Sequence, residues 1–223
     1  MTTTRLYLIR HGATVLSAED RFAGSTDVEL SDEGREQARR LGERLAGDHL
    51  AHLYASPMKR TMETARLVGA PHRLAPSPVD ALREIDHGHW EGLTRAEVEA
   101  RFGGEYARWV EDPFTCAPSG GESGASVVAR ALPAIRALVD AHPGETVAVV
   151  SHKATIRLVL CALLGIDARG YRDRLDQSPA CLNALDFRDP VRARLALFND
   201  TSHYASQPAQ PTGRLSHWWD VGA

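Results

Sequence analysis

The run Thr146-Val147-Ala148-Val149-Val150 is entered through Pro143-Gly144 and left through Ser151-His152. A β-branched apolar run bounded by turn residues predicts a strand buried on both faces. Residues 154–164 then predict a helix, with Gly165 placed to close it as a left-handed C-cap. A buried strand followed at once by a helix is the unit of a parallel sheet covered by helical layers. The pairing recurs nearer the start. Residues 5–9 form a short apolar strand; Ser31 then stands as an N-cap ahead of Asp32 and Glu33, and Ala38, Leu41 and Leu45 recur on one helical face. A second strand, around residues 52–55, ends at Ser56-Pro57, which predicts the N-cap and first-turn proline of a helix running to about Val68. Later, a turn at Gly120-Gly121 precedes a helix over about 125–139. Residues 181–187 and 194–198 predict one or two further strands around the turn Asp189-Pro190. The expected fold class is α/β, a three-layer α/β/α arrangement with a mostly parallel central sheet.

The 223 residues suffice for one substantial core. A net charge of -3 without a basic stripe argues against nucleic acid as a partner, so any anion site must be local. Cys116, Cys161 and Cys181 show neither paired spacing nor a Cys-x-x-Cys motif, which fits a reducing compartment. No apolar stretch reaches the roughly 18 to 20 residues of a membrane span, and the first residues do not resemble a signal peptide. A soluble, cytoplasmic protein without membrane partners is expected.

In such a sheet, ligands bind outside the carboxyl ends of the strands. Four basic groups fall at that edge from three places: Arg10 and His11 after the first strand, Arg60 early in the helix after the second, and His152 after the run at 146–150. A histidine is a nucleophile only with one ring nitrogen unprotonated, and an adjacent guanidinium disfavours a second positive charge. Guanidinium forks and helix N-termini also suit a phosphoryl group. Each residue has a plainer reading: Arg60 as a solvated helix residue, His152 as an N-cap of its own helix.

The segment Leu8-Ile9-Arg10-His11-Gly12-Ala13-Thr14 resembles the signature of the histidine phosphatase superfamily, which includes the cofactor-dependent phosphoglycerate mutases. The resemblance continues through Leu30-Ser31-Asp32-Glu33-Gly34 with Gln37-Ala38, Ser56-Pro57-Met58-Lys59-Arg60, Glu84, and Gly88-His89-Trp90-Glu91-Gly92. Gly120-Gly121-Glu122-Ser123, Ser151-His152 and Asn199-Asp200-Thr201-Ser202-His203 complete it. It implies a phosphoglycerate mutase-like fold forming a single domain over 1–223, with a small inserted cap at about 83–126 and an irregular tail at about 204–223. It further implies that His11 attacks phosphorus, that Arg10, Arg60 and His152 hold the phosphoryl oxygens, and that Glu84 is the acid and base. No metal and no cofactor are required. Ser17, Gly24 and Lys153 are further candidates for substrate contact. Ser17 stands where many members carry Asn, and Lys153 where glycine usually follows the second histidine.

Glu91 is the rival carboxylate to Glu84, and spacing alone does not choose between them. The cluster Asp86, His87, His89 and Glu91 invites a metal reading; a polar loop against Trp90 is preferred. The glycines at 120–121 lack the Lys-Ser/Thr and preceding strand of a nucleotide loop. A metal-independent phosphatase for a small phosphorylated metabolite is the expected function, similar to metal-independent phosphoserine phosphatases. A phosphoglycerate mutase and a non-catalytic phospho-ligand module are the alternatives. The segment 93–120 is shorter than the mutases' insertion. Apolar residues 195–198 on an edge strand and the Trp218-Trp219 tail make a homodimer reasonable.

Overall fold

The computed structural model describes residues 2–15 and 21–205. Its elements in chain order are β1 (Thr4–Arg10), α1 (Asp32–Leu45), β2 (Leu50–Ala55), α2 (Lys59–Gly69), β3 (Ser77–Pro78), α3 (Arg95–Glu111), α4 (Gly124–Ala141), β4 (Thr146–Ser151), α5 (Lys153–Leu164), α6 (Tyr171–Arg174), β5 (Leu182–Phe187) and β6 (Ala193–Asp200). The sheet order is β3-β2-β4-β1-β5-β6. β3, β2, β4 and β1 pair in parallel, whereas β5 and β6 extend the sheet antiparallel. The expected mostly parallel sheet is therefore present, with a hairpin at one edge.

Alternation along the central strands sorts their side chains to two helical layers. Leu6 and Leu8 of β1 and Val147 and Val149 of β4 pack with Ile135 and Val139 of α4 and Ile156 and Leu160 of α5. Tyr7, Ile9, Ala148 and Val150 turn the other way, against Leu41 and Leu45 of α1 and Ala65 and Val68 of α2. This two-sided burial is why the run at 146–150 is continuously apolar. A separate apolar cluster joins Phe22, Trp90, Val98, Tyr106 and Trp109, so α3 packs beside the sandwich rather than on the sheet.

The strand at 146–150 and the helix after it lie where the sequence places them, and Gly165 closes α5 with φ +68°. Ser31 caps α1 by accepting from Gly34 N–H at 3.1 Å. One expectation is corrected: α2 begins at Lys59 with Met58 as N-cap, not at Ser56-Pro57. The Ser56 hydroxyl is committed elsewhere, to His152. Among the described residues no helix is long and apolar enough to cross a membrane. Ser17 and the Trp218-Trp219 tail lie outside the described residues.

Candidate active site

Ile9 lies opposite Val150 and Arg10 opposite Ser151, so β1 and β4 leave the sheet at the same edge. The backbone continues the join: His11 N–H donates to Ser151 O, and Ser56 N–H to Val150 O, both at 3.0 Å. Three strand ends thus deliver His11, Ser56 and His152 to one place. The two histidine rings meet edge-on with centroids 5.2 Å apart.

His11 Nδ1 is 2.8 Å from Gly12 O. A carbonyl only accepts, so Nδ1 carries the ring proton and Nε2 keeps its lone pair. Burial, then the Arg60 and Arg10 guanidiniums, hold the His11 pKa well below the usual histidine range. The loop that carries it is locked to both neighbouring helices. Gly12 N–H donates to Thr64 Oγ1 at 3.1 Å and Ala13 N–H to Gln37 Oε1 at 3.0 Å. A Cβ on Gly12 would lie 2.3 Å from Gly34 O, so this approach to α1 admits only glycine.

Arg60 is buried, and its Nε donates to His152 Nδ1 at 3.2 Å. Because guanidinium only donates, the His152 proton sits on Nε2, 2.8 Å from Ser56 Oγ. His152 is the N-cap residue of α5 by position but makes no side-chain capping bond. Its pKa is also held well below the usual range, by burial first and then by Arg60, His11 and Arg10, rather than by the adjacent Lys153. The other Arg60 nitrogens donate to Thr26 O at 2.8 Å and Gly24 O at 3.0 Å. Arg10 donates from one terminal nitrogen to Gln177 O at 2.6 Å, and its buried Nε has no partner among the described residues. Burial lowers the pKa of both arginines.

The two rival carboxylates have different surroundings. Glu84 accepts from Ala154 N–H at 3.1 Å and from Thr155 N–H and Oγ1 at 3.0 and 3.1 Å, so it supplies the cap that His152 does not. That contact ties Glu84 to the residues just after His152. Glu91 instead accepts from the Gly24, Ser25 and Thr26 amides, the Thr26 hydroxyl and the His87 amide, at 2.8 to 3.3 Å. Burial disfavours its charge, but the bonds from Ser25, Thr26 and His87 outweigh this and lower its pKa. Glu91 therefore ties down the loop whose carbonyls hold Arg60. Gly24, named from sequence as a substrate contact, has its amide on Glu91 and its carbonyl on Arg60. A Cβ there would meet Ile85 O at 1.8 Å.

One positioning residue escaped the sequence reading, and a second was named there without its role. Arg130 donates to Ala81 O, Arg83 O and Glu84 O at 2.8 to 3.1 Å and forks onto both Glu122 oxygens at 2.8 Å. Glu122 also accepts from Asp86 N–H at 3.1 Å. The Gly-Gly-Glu-Ser motif thus fixes the chain around Glu84, and no phosphate role is needed for it. Gln37 is the second. Its place beside Ala38 in the motif was visible, but its hold on the His11 loop was not. Lys153 opens α5; burial first, then Arg157 and Arg10, pull its pKa down to about 7, against Asp176 and Glu84. Asp86, His87, His89 and Glu91 turn to separate partners: His89 to Glu105 at 2.6 Å, His87 edge-on to Phe22, Asp86 to Gly88 N–H and Glu91 to the 24–26 loop.

The sequence profile of the histidine phosphatase superfamily (branch 1) matches residues 6–201. The chain belongs to that superfamily. A relative named phosphoserine phosphatase 1, from Hydrogenobacter thermophilus, is 38% identical over 163 residues, covering 73% of this chain and 77% of the relative. The solved structure of Bacillus stearothermophilus YhfR superposes with a TM-score of 0.84 at 32% identity, over 90% of this chain and 98% of that one. A mycobacterial glucosyl-3-phosphoglycerate phosphatase superposes with a TM-score of 0.80 at 31% identity, over 88% and 99%. His11, Arg10, Arg60, His152 and Glu84 all lie within the matched segment, at the one sheet edge described above.

Proposed function

We propose that this histidine phosphatase hydrolyses a small phosphorylated metabolite through a phosphohistidine at His11, without a metal or other cofactor. The observation that carries this reading is the His11 tautomer. Nδ1–H is spent on Gly12 O, which leaves Nε2 unprotonated among Arg10, Arg60 and His152. In the first step Nε2 attacks phosphorus, the ester P–O bond breaks, and Glu84 gives its proton to the departing alkoxide. In the second, Glu84 takes a proton from water as that water attacks phosphorus and the P–N bond breaks. The alcohol and inorganic phosphate leave, and His11 and Glu84 regain their starting states. Arg10, Arg60 and His152 balance the charge on the equatorial oxygens, which is most of what phosphoryl transfer asks of a protein.

Residues 83–126 form the cap over this pocket and set the substrate. Lys153 serves a second anionic group: at a pKa of about 7 it regains full charge beside a carboxylate or a further phosphate. The names of the relatives, phosphoserine phosphatase and glucosyl-3-phosphoglycerate phosphatase, fit substrates of that kind.

The test is hydrolysis of p-nitrophenyl phosphate in EDTA by wild type and His11→Ala. Activity in wild type and its loss in the variant is expected; full activity in His11→Ala refutes the reading. Interconversion of 2- and 3-phosphoglycerate with negligible hydrolysis would instead assign a mutase. A screen of phosphoserine, the phosphoglycerates and p-nitrophenyl phosphate with Lys153→Gly tests the second-anion role, which an unchanged preference would contradict.

A further inference from the structure

The amino half of the sheet carries a second cluster, remote from His11. His52 on β2, His142 at the C-cap of α4 and Glu145 just before β4 bring one ligand atom each to within 4.8 Å of one another. His52 Nε2 and His142 Nδ1 each lie 3.2 Å from the same oxygen, Glu145 Oε2. The two rings stack with centroids 3.8 Å apart. We propose that these three residues bind a zinc ion.

Three observations carry the assignment. The first is geometric. Tetrahedral zinc with bonds of roughly 2.0 to 2.1 Å places neighbouring ligand atoms about 3.3 to 3.4 Å apart, close to both nitrogen–oxygen separations here, and the two ring nitrogens, within 4.8 Å of each other, would close on the ion as it binds. The second is the support behind His142, whose Nε2 is 2.8 Å from the Tyr54 hydroxyl. Zinc on Nδ1 needs the ring proton on Nε2, which then donates to the Tyr54 oxygen, the outer-shell partner a metal-bound histidine requires. Each imidazole would bind the ion through one nitrogen and carry its proton on the other. The third is the field. His142 ends an 18-residue helix, whose negative pole favours a cation. Two imidazoles and one carboxylate leave the fourth zinc position open to water, and His52 and Glu145 are exposed enough to admit the ion.

The site has no part in phosphoryl transfer. His52 pairs with Val147 and precedes Ser56 by four strand residues, about 13 Å of extended chain. The ion would instead fasten β2 to the α4–β4 connection, segments separated by about 90 residues of sequence.

The test uses the full chain, stripped with EDTA and titrated with zinc against a chromophoric chelator. One zinc per chain is expected, with a rise in thermal midpoint. His52→Ala, His142→Ala and Glu145→Ala should each weaken binding at least about tenfold, and Tyr54→Phe about tenfold while leaving all three ligands in place. Circular dichroism checks that each variant is folded. If His142→Ala or Glu145→Ala does not fold, His52→Ala, on a half-exposed side chain, and Tyr54→Phe decide the matter. Absence of binding to wild type, or equal affinity in wild type and the folded variants, overturns the proposal.

Discussion

Replacing Glu91 with glutamine separates the two carboxylates more sharply than any other single change. Five donors converge on the Glu91 oxygens, and an amide can accept from only one side. Its NH2 group then faces about two N–H or O–H donors. At roughly 1 kcal/mol for each bond lost at this half-buried position, the 24–26 loop is weakened by about 2 kcal/mol. For a chain of this size that is a fall of about 4 to 8 °C in thermal midpoint. The loop holds Arg60 by two carbonyls, so phosphoryl binding suffers too, by about 10-fold in kcat/KM if one charge-assisted contact is impaired. The loss must be the same for every leaving group if, as proposed, Arg60 holds the phosphoryl group and not the alcohol. Glu84→Gln behaves differently. It removes the proposed proton donor, so kcat/KM should fall by roughly 10² to 10⁴ for an alkyl phosphate but much less for p-nitrophenyl phosphate, whose phenolate leaves unaided. The assay is kcat/KM for both esters across wild type and the two variants, with thermal melts alongside. A selective loss with the alkyl ester in Glu91→Gln, and a uniform one in Glu84→Gln, would refute the assignment.

The same contacts predict two more outcomes. His11 and His152 are neutral when folded and titrate near pH 6.5 when unfolded, so the unfolded chain binds more protons below that pH and stability falls as pH drops through it. Each contributes about 1.4 kcal/mol between pH 7.5 and 5.5, so the pair alone adds about 3 kcal/mol to the loss that urea unfolding would measure; a flat profile would contradict the buried neutral pair. Arg130→Lys keeps the charge but not the fork that reaches three carbonyls and both Glu122 oxygens. Thermal melts should show destabilisation by about 2 kcal/mol, with kcat lowered because Glu84 loses its fixed backbone.

The sheet and its active edge are legible in the sequence because their signals are local. Residues 146–150 and 5–9 are buried on both faces, so their apolar runs are continuous, and parallel pairing brings the residues just beyond each strand end to one edge. Helix α3 is less visible, since its periodicity is broken at Phe102, where φ is -134°, just before Gly103-Gly104. Ser56 misleads because a hydroxyl ahead of a proline looks the same whether it caps a helix or meets a histidine 96 residues away. The choice between Glu84 and Glu91 rests on which backbone amides surround each, and sequence spacing does not encode that. Arg130 and the His52, His142 and Glu145 group act through contacts across the fold, with no local pattern to announce them.

In the proposed mechanism His11 carries the phosphoryl group between substrate and water. Rapid quenching during turnover of a phosphate-labelled ester measures this directly. An acid-labile, alkali-stable label on the protein, mapped to His11 and absent from His11→Ala, is the predicted result. A label on another residue, or burst-free turnover with none on the protein while His11→Ala stays active, would contradict the account.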